Sequence, residues 1–251
     1  MIRRVIDKLA RMSLVDRSKL GVLFEQDHLQ KLLCELGVDC VFDVGANAGQ
    51  YAGMLRSKAR YKGRIVSFEP LPNEFKTLQE ASRSDPLWDI ERAGITGTGG
   101  TRTFNVMKSS QFSSFSDPSL GDTDKFAAAT TILDRIEIDT LTLQAAYDKY
   151  LARYGFKRPF LKLDTQGLDV DILTGGKDML KNFVGFQSEL AIKKIYQRSE
   201  DFKQALAIYT DLGFELSALV PNNTGHFPTL IEIDCIMIRR DLADAYLRVQ
   251  A

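Results

Sequence analysis

The chain has 251 residues, 44% of them apolar, and its 33 basic residues balance 33 acidic ones. Such a chain can bury about three quarters of its unfolded surface in one larger α/β domain. A surface without net charge releases few counterions, which argues against nucleic acid as the principal substrate. No apolar run approaches the roughly 18 residues of a membrane span, and the first residues lack the apolar core of a secretion signal. We therefore expect a cytoplasmic protein without a transmembrane segment, and we expect its three widely spaced cysteines to be buried thiols.

Residues 1–38 are predicted to form a helical extension that precedes a single domain at 39–251. The helical pattern covers residues 2–36, and Gly37 is a suitable stop. At 2–11 an apolar stripe lies beside four basic residues. Such a helix can lie on an anionic membrane surface. The more usual alternative is that it packs on the core of its own domain, or on a second copy of the chain in a homodimer.

A buried strand, a glycine turn and the start of a helix follow one another at 41–55. This arrangement is typical of sites for nucleotide-like ligands. Asn47 stands where the dinucleotide pattern G-x-G-x-x-G has its second glycine, and Gln50 stands where it has its third. The second glycine lets the backbone approach a diphosphate, so its absence counts against a pyrophosphate and against an NAD-dependent oxidoreductase. The strand and its turn supply four candidate cofactor-binding residues, namely Asp43, Gly45, Asn47 and Gly49.

A ligand with an adenosine but no phosphate suits this turn, and S-adenosylmethionine is such a ligand. Its ribose hydroxyls need an acid at the end of the next strand. The second strand is predicted at 64–68 and ends in Glu69, and the prolines that follow block its continuation. Glu69 follows Gly45 by 24 residues, close to the offset of about 20 residues at which a ribose-binding acid follows such a turn.

Strands and helices alternate along the rest of the chain, without internal repeats. Strands are predicted at 88–93, 102–107, 132–138, 160–163, 184–190, 214–220 and 230–238, and helices at 73–83, 140–154, 168–181 and 200–212. This alternation predicts a doubly wound, Rossmann-like α/β sheet that is mostly parallel, with the last strand antiparallel. The Gly- and Ser-rich stretches at 94–101 and 109–117 are expected to lie outside the core.

Ligands of open α/β sheets bind beyond the carboxyl ends of the strands. Beyond Gly45 and Glu69, this rule selects Gly94 after the third strand, Asp164 after the fourth and Glu189 at the fifth. Main-chain groups near Gly94 would be able to contact the edge of an adenine.

At these residues the chain resembles the FkbM family of S-adenosylmethionine-dependent methyltransferases. The resemblance rests on DVGANAGQY at 43–51, FEP at 68–70, LKLDTQGLDVDILTGG at 161–176, and on Glu189, Gly213 and Asp234. It implies an O-methyltransferase that acts on a hydroxyl of a sugar, glycan or other secondary metabolite. The family usually has an Asp-x-Glu-Gly run where this chain has Gln166 in place of the glutamate. The missing acid leaves room for a catalytically silent, adenosine-ligand-binding partner subunit.

Transfer of a methyl group to an alcohol requires alignment of the hydroxyl and removal of its proton. Asp164 is the leading candidate for the base or for orienting the hydroxyl, and the alternative is that it caps the helix that follows. Asp164 and Glu189 end adjacent strands, so together they are a less favoured candidate site for a magnesium ion.

His226 is the second candidate base, because an imidazole has a pKa suited to work at neutral pH. It lies in the segment at 221–228 that joins the last two strands on the ligand side of the sheet. The alternative is a solvated histidine in a hairpin loop.

Overall fold

The computed structural model describes residues 20–119, 126–220 and 228–250. In chain order its elements are α1 (Leu20–Glu35), β1 (Cys40–Val44), α2 (Gln50–Ser57), β2 (Arg64–Phe68), α3 (Pro72–Ser82), β3 (Trp88–Glu91), β4 (Gly94–Ile95), β5 (Gly100–Met107), β6 (Ile132–Leu141), α4 (Leu143–Tyr154), β7 (Pro159–Leu163), α5 (Asp169–Gly175), β8 (Gly185–Ala191), α6 (Phe202–Asp211), β9 (Phe214–Val220), β10 (Glu232–Arg239) and α7 (Arg240–Gln250). Short 3-10 turns span Ser110–Phe112 and Lys177–Asn182.

Seven strands form the main sheet, in the order β3-β2-β1-β7-β8-β10-β9. The pairs from β3 to β8 are parallel, and β10 runs antiparallel to both of its neighbours. This topology confirms the predicted doubly wound sheet. The central strands β1 and β7 are buried along their whole length, because helices cover both faces of the sheet. The strand order reverses at β1, so a crevice opens between the carboxyl ends of β1 and β7.

A second, three-stranded sheet has the order β4-β6-β5. The strand predicted at 132–138 belongs to this second sheet, where it extends to Leu141 and pairs with β5. The prediction that the Ser-rich stretch at 109–117 lies outside the core is wrong at Ser114 and Ser116, whose side chains are fully buried. These serines can be buried because their hydroxyls are satisfied, as where Ser114 Oγ donates to the Gln166 carbonyl at 2.7 Å.

Three further details differ from the predictions. The helix predicted at 168–181 breaks after Gly175, where a Cβ atom would lie 2.5 Å from the carbonyl oxygen of Gly97, and continues as a 3-10 turn. Helix α7 at the end of the chain has no counterpart in the predictions. Cys34 lies exposed on α1, whereas Cys40 and Cys235 are buried thiols as predicted.

Helix α1 belongs to the predicted N-terminal extension and packs against β9 at the edge of the main sheet. His28 Nε2 and Ser217 Oγ lie 2.9 Å apart across this contact. Residues 2–11 lie outside the described residues, so the membrane-surface contact and the homodimer stay predictions. No helix within the described ranges is long and apolar enough to cross a membrane.

Phe42 on β1 is the centre of the larger core. Its ring contacts the rings of Phe68, Tyr150, Phe156 and Phe183 at centroid distances between 5.5 and 6.2 Å. Three of these four contacts are edge-to-face, the geometry that aromatic quadrupoles favour. The cluster joins β1 to β2, α4 and the turn after α5, so it fixes the strand that carries the glycine turn.

We expect Phe42→Ala to lower the free energy of unfolding by about 3 to 5 kcal/mol, because it leaves a cavity among rings that cannot collapse. Urea denaturation measures the change. Leu133→Ala is the control, since Leu133 is 66% exposed and its truncation should cost no more than about 0.5 kcal/mol. Equal losses in the two variants would contradict the central role of Phe42.

Candidate active site

A cavity of about 450 Å³ opens at the carboxyl ends of the central strands. This volume is in the range of small-molecule sites. Of the residues predicted from the sequence, those that line the cavity are Gly45, Asn47, Glu69, Gly94, Asp164 and Glu189. Asp43 and Gly49 lie behind its wall. His226 lies outside the described residues.

Two positions of the turn require glycine, because each combines a positive φ with a close contact that a Cβ atom would not allow. Gly45 has φ +78°, and a Cβ atom there would lie 2.0 Å from the backbone oxygen of Asp164. Gly49 has φ +89°, and its Cβ would lie 2.9 Å from the ring of Trp88. Asn47 adopts φ +48° as a non-glycine residue, and its Oδ1 accepts a hydrogen bond from the next backbone N–H at 2.8 Å. The turn therefore brings β1 against the end of β7 and holds its backbone against the cavity.

Glu69 connects this turn to the end of β2. Its side chain is 4% exposed, and its two oxygens accept hydrogen bonds from the backbone N–H groups of Asn47 and Leu71, each at 2.8 Å. Burial raises the pKa of Glu69 to about 7, although the two N–H groups act in the opposite direction. Glu69 therefore changes its charge near neutral pH.

Lys162 on β7 is a buried cation that the sequence interpretation did not select. Its Nζ lies 3.2 Å from Asp164 Oδ2 and 3.7 Å from Asp43 Oδ1, and it stands over the ring of Tyr51. Burial lowers the pKa of Lys162, but the carboxylates of Asp164 and Asp43 raise it by more, so the ammonium stays charged. A lysine within the otherwise apolar strand PFLKL was the available signal.

Asp43 lies directly beneath the cavity and is completely buried. Its Oδ2 accepts a hydrogen bond from Ser67 Oγ at 2.9 Å, and Ser67 in turn accepts one from Trp88 Nε1 at 2.9 Å. Its Oδ1 has no hydrogen-bond donor within the described ranges, and it lies 3.7 Å from the Lys162 ammonium. Asp43 therefore holds Lys162 in place from below.

Asp164 presents a carboxylate that is 42% exposed to the cavity. One oxygen accepts from Lys162 Nζ, and the other accepts from Gln166 Nε2 at 2.8 Å. The alternative that Asp164 caps a helix is wrong, since α5 begins five residues later and has no side-chain cap. Asp164 therefore faces the cavity and does not stabilise the N-terminus of α5.

Two glutamine amides separate the acids of the far wall. Gln166 Nε2 donates to Asp164 and to Glu189 Oε2, the latter at 3.2 Å, while its Oε1 accepts from Tyr196 OH at 2.6 Å. A side-chain NH₂ thus lies between the two carboxylates that formed the predicted magnesium alternative. Among residues 20–119, 126–220 and 228–250, no group of three or more His, Cys, Asp or Glu is arranged to hold a metal ion.

Gln187 makes the same kind of contacts with a second pair of acids. Its Nε2 donates to Glu25 Oε1 at 2.8 Å and to Asp234 Oδ2 at 3.1 Å, and its Oε1 accepts from Tyr51 OH at 3.1 Å. Glu232 completes the wall. Gln187 and Glu232 were missed because their strands gave no site motif, although polar residues within buried strands were visible in the sequence.

Another part of the cavity lining carries aromatic rings. Gly94 lies where β4 begins, and a Cβ there would be 2.6 Å from the ring of Phe115. Phe115 packs edge-to-face on Phe104 at 4.6 Å, and Phe112 adds a third ring. One cavity therefore has aromatic rings next to Gly94 and a carboxyl-rich wall beyond β7.

Lys162→Met should lower the free energy of unfolding by about 3 to 5 kcal/mol, because Asp43 would remain as a buried carboxylate without its cation. Chemical denaturation measures this loss. Arg153→Met is the matched control, since the Arg153–Asp89 pair is exposed on its arginine side and its loss should cost less than about 1 kcal/mol. Adding Asp43→Asn to Lys162→Met should recover part of the stability. No recovery would show that the lysine acts through packing alone.

The comparison with family models identifies the domain. The Methyltransferase FkbM domain model matches residues 43–216. No curated protein sequence matches the chain. Among solved structures, a fibrillarin from Aeropyrum pernix with bound S-adenosyl-L-methionine is 11% identical, with a TM-score of 0.44 over 80% of this chain and 66% of that one.

Two further structures are similar to the same extent. The magnesium protoporphyrin IX methyltransferase of Synechocystis PCC 6803 is 10% identical, with a TM-score of 0.44 over 90% of this chain and 85% of that one. An S-adenosylmethionine-dependent methyltransferase of Clostridium acetobutylicum is 11% identical, with a TM-score of 0.45 over 95% and 97% of the two chains. The family model covers more than half of the chain, from the glycine turn to β9. The chain therefore belongs to the FkbM methyltransferase domain family, whose members use S-adenosylmethionine.

Proposed function

We propose that this methyltransferase transfers the methyl group to a hydroxyl of a sugar, glycan or other secondary metabolite. The observation that carries the proposal is that the glycine turn and Glu69 line the same cavity as a wall of carboxylates and amides. Carboxylate and amide oxygens accept hydrogen bonds from hydroxyl groups, and such side chains fix the orientation of polyols. Oxygen as the methyl acceptor follows from the family resemblance.

The residues present fit S-adenosylmethionine, which supplies an electrophilic methyl group on a sulfonium. The Glu69 carboxylate has about four acceptor positions, of which the backbone N–H groups of Asn47 and Leu71 use two. Two positions remain for the ribose hydroxyls. We assign the aromatic part of the lining next to Gly94 to the adenine, because a flat ring packs well against aromatic side chains.

We assign to Asp164 the task of orienting the acceptor hydroxyl. Its carboxylate follows β7 directly and faces the cavity, and Lys162 and Gln166 hold it in one position. His226 stays a candidate for the proton acceptor. We propose that no magnesium ion takes part, because the Gln166 NH₂ group, and not a further oxygen, lies between Asp164 and Glu189.

One observation favours a second function. Gln166 replaces the acid of the usual family run and is hydrogen-bonded on both sides, so a catalytically silent partner subunit that binds the adenosine ligand is the alternative. Release of S-adenosylhomocysteine in the presence of methyl glycosides, measured by mass spectrometry, distinguishes the two. Binding of S-adenosylhomocysteine without turnover of any glycoside would support the silent subunit.

Glu69→Ala should weaken binding of S-adenosylhomocysteine by about 1.5 to 3 kcal/mol, since it removes charge-assisted contacts to the ribose. Ligand hydroxyls favour the ionised carboxylate, whose pKa is about 7 in the free protein. Affinity should therefore rise with pH up to about 7 and then level off, with a limiting slope of about tenfold per unit. Calorimetry at several pH values measures both effects.

Two control variants accompany this measurement. Glu69→Gln should remove the pH dependence, while Glu80→Gln on the exposed face of α3 should change neither the affinity nor its slope. If Glu69→Ala binds S-adenosylhomocysteine as tightly as the wild type, Glu69 does not contact the ligand.

Asp164→Asn should reduce turnover of the acceptor by about a hundredfold or more with nearly unchanged affinity for S-adenosylhomocysteine, because it removes only the carboxylate. A chelator added to the wild type should leave turnover intact. If the chelator abolishes turnover and magnesium restores it, Asp164 and Glu189 form a metal site, and the role assigned to Asp164 is wrong. Full activity of Asp164→Asn would make His226→Ala the next variant to measure.

A further inference from the structure

Glu189 and Glu232 form a carboxyl pair in the acidic wall of the cavity. The antiparallel register of β8 and β10 pairs Glu189 with Asp234 and Ala191 with Glu232, so Glu189 and Glu232 are diagonal neighbours on one face. Both side chains line the cavity that contains the glycine turn, and each carboxyl group affects the ionisation of the other. The pair therefore faces any ligand that fills the cavity.

Among the described residues, Glu232 differs from the other acids of this wall in accepting no hydrogen bond from a glutamine amide. Asp164, Glu189, Glu25 and Asp234 each accept a hydrogen bond from the amide of Gln166 or Gln187. In the part of the chain that the structure describes, no N–H or O–H group other than the Glu189 carboxyl serves the side chain of Glu232, which is only 6% exposed. A buried carboxyl at a cavity wall without a protein donor is suited to a donor from a ligand.

Two carboxyl groups in contact cannot both be ionised at neutral pH, so one proton is shared between them. Burial raises the pKa of Glu232 to about 7, and burial followed by the charge of Glu232 raises the pKa of Glu189 well above its usual value. The other ionisable groups around the pair in the described chain are the acids Asp164, Asp169 and Asp234, the phenol of Tyr196 and the ammonium of Lys162 behind Asp164.

Asp164 is less suited than this pair to accept a proton. Each of its oxygens already accepts a hydrogen bond, one from an ammonium and one from an amide. We propose that Glu189 and Glu232 share one proton and together accept the proton of the acceptor hydroxyl. The shared proton stands on the geometry of the pair, and its catalytic use rests on the proposed function.

The proton transfer balances in atoms and charge. The acceptor oxygen forms a bond to the methyl carbon as the carbon–sulfur bond breaks, and the electron pair of that bond stays on sulfur as a neutral thioether. The hydroxyl proton passes to the singly ionised pair, which becomes neutral. The positive charge of the sulfonium and the negative charge of the pair are thus lost together, and the pair later releases the proton to water.

The shared proton can be tested without any acceptor. Protein labelled with ¹³C at the glutamate δ-carbon is titrated by NMR, which leaves the neighbouring aspartates unobserved. We expect two coupled δ-carbon signals with one titration step near or below pH 7 and a second step above it, besides the signal of Glu69, which Glu69→Gln identifies. Glu232→Gln should remove one signal and move the midpoint of the other down by about one pH unit or more, because a like charge is lost.

Glu25→Gln is the matched control for the titration, since Glu25 lines the same cavity but lies outside the pair. It should leave both signals in place. Signals of Glu189 and Glu232 that titrate independently, or that are both ionised at neutral pH, would overturn the shared proton.

The catalytic use of the pair is tested by the pH dependence of turnover with a methyl glycoside. Wild-type turnover should fall as the pH drops below about 7, where the pair takes up its second proton. In Glu232→Gln the plateau should be about tenfold lower and the fall should shift, because a single carboxyl group then accepts the proton. Asp164→Asn should lower the plateau without moving the fall, and Glu137→Gln, remote from the cavity, should change neither. A profile of Glu232→Gln that superimposes on the wild type would overturn the catalytic use. Absence of turnover with every glycoside would instead contradict the proposed acceptor class, and the titration would still decide the shared proton.

Discussion

The buried ammonium of Lys162 is the interaction on which the site depends. It lies between the buried carboxylate of Asp43 on β1 and the cavity-facing carboxylate of Asp164 after β7. These are the two strands between which the sheet reverses its order, and the same junction brings the Gly45 backbone against Asp164. One cation therefore stabilises the junction of β1 and β7 and also orients a carboxylate of the site. A neutral residue in place of Lys162 would leave Asp43 and Asp164 at this junction without a counter-charge.

The acidic wall is tolerable because its charges are separated in three different ways. Lys162 is paired with Asp43 and Asp164 at the junction of β1 and β7. The amides of Gln166 and Gln187 each donate to two carboxyl groups. In the proposed pair, Glu189 and Glu232 lower their joint charge by sharing a proton. These contacts have different requirements. The ion pairs require a buried cation, whereas each amide requires only a tyrosine hydroxyl that donates to its oxygen. The wall thus keeps several acceptor oxygens available to a polar ligand without accumulating their full repulsion.

The sequence was informative wherever one local pattern determined the structure. The glycine turn, the acid after β2 and the strand–helix alternation were predicted, because turn chemistry and apolar periodicity are local properties. The contacts of the far wall were not, because Lys162, Gln187 and Glu232 meet only through the register of distant strands. Burial of Ser114 was missed for a related reason, since its hydroxyl is satisfied by the carbonyl of Gln166, 52 residues away.

Gln166 shows how a departure from a family pattern can fit its surroundings. Its backbone has φ +53°, and its side-chain amide is fixed by Tyr196 on one side and by two carboxyl groups on the other. A glutamate at this position would add a further negative charge next to Asp164 and Glu189, and the only cation of this wall in the described chain is Lys162, which already contacts two acids. The amide instead donates to both neighbours. It thereby holds the Asp164 carboxylate in place and is compatible with the proposed sharing of a proton between Glu189 and Glu232, so the neutral residue suits a wall that accepts protons better than one that binds a metal ion.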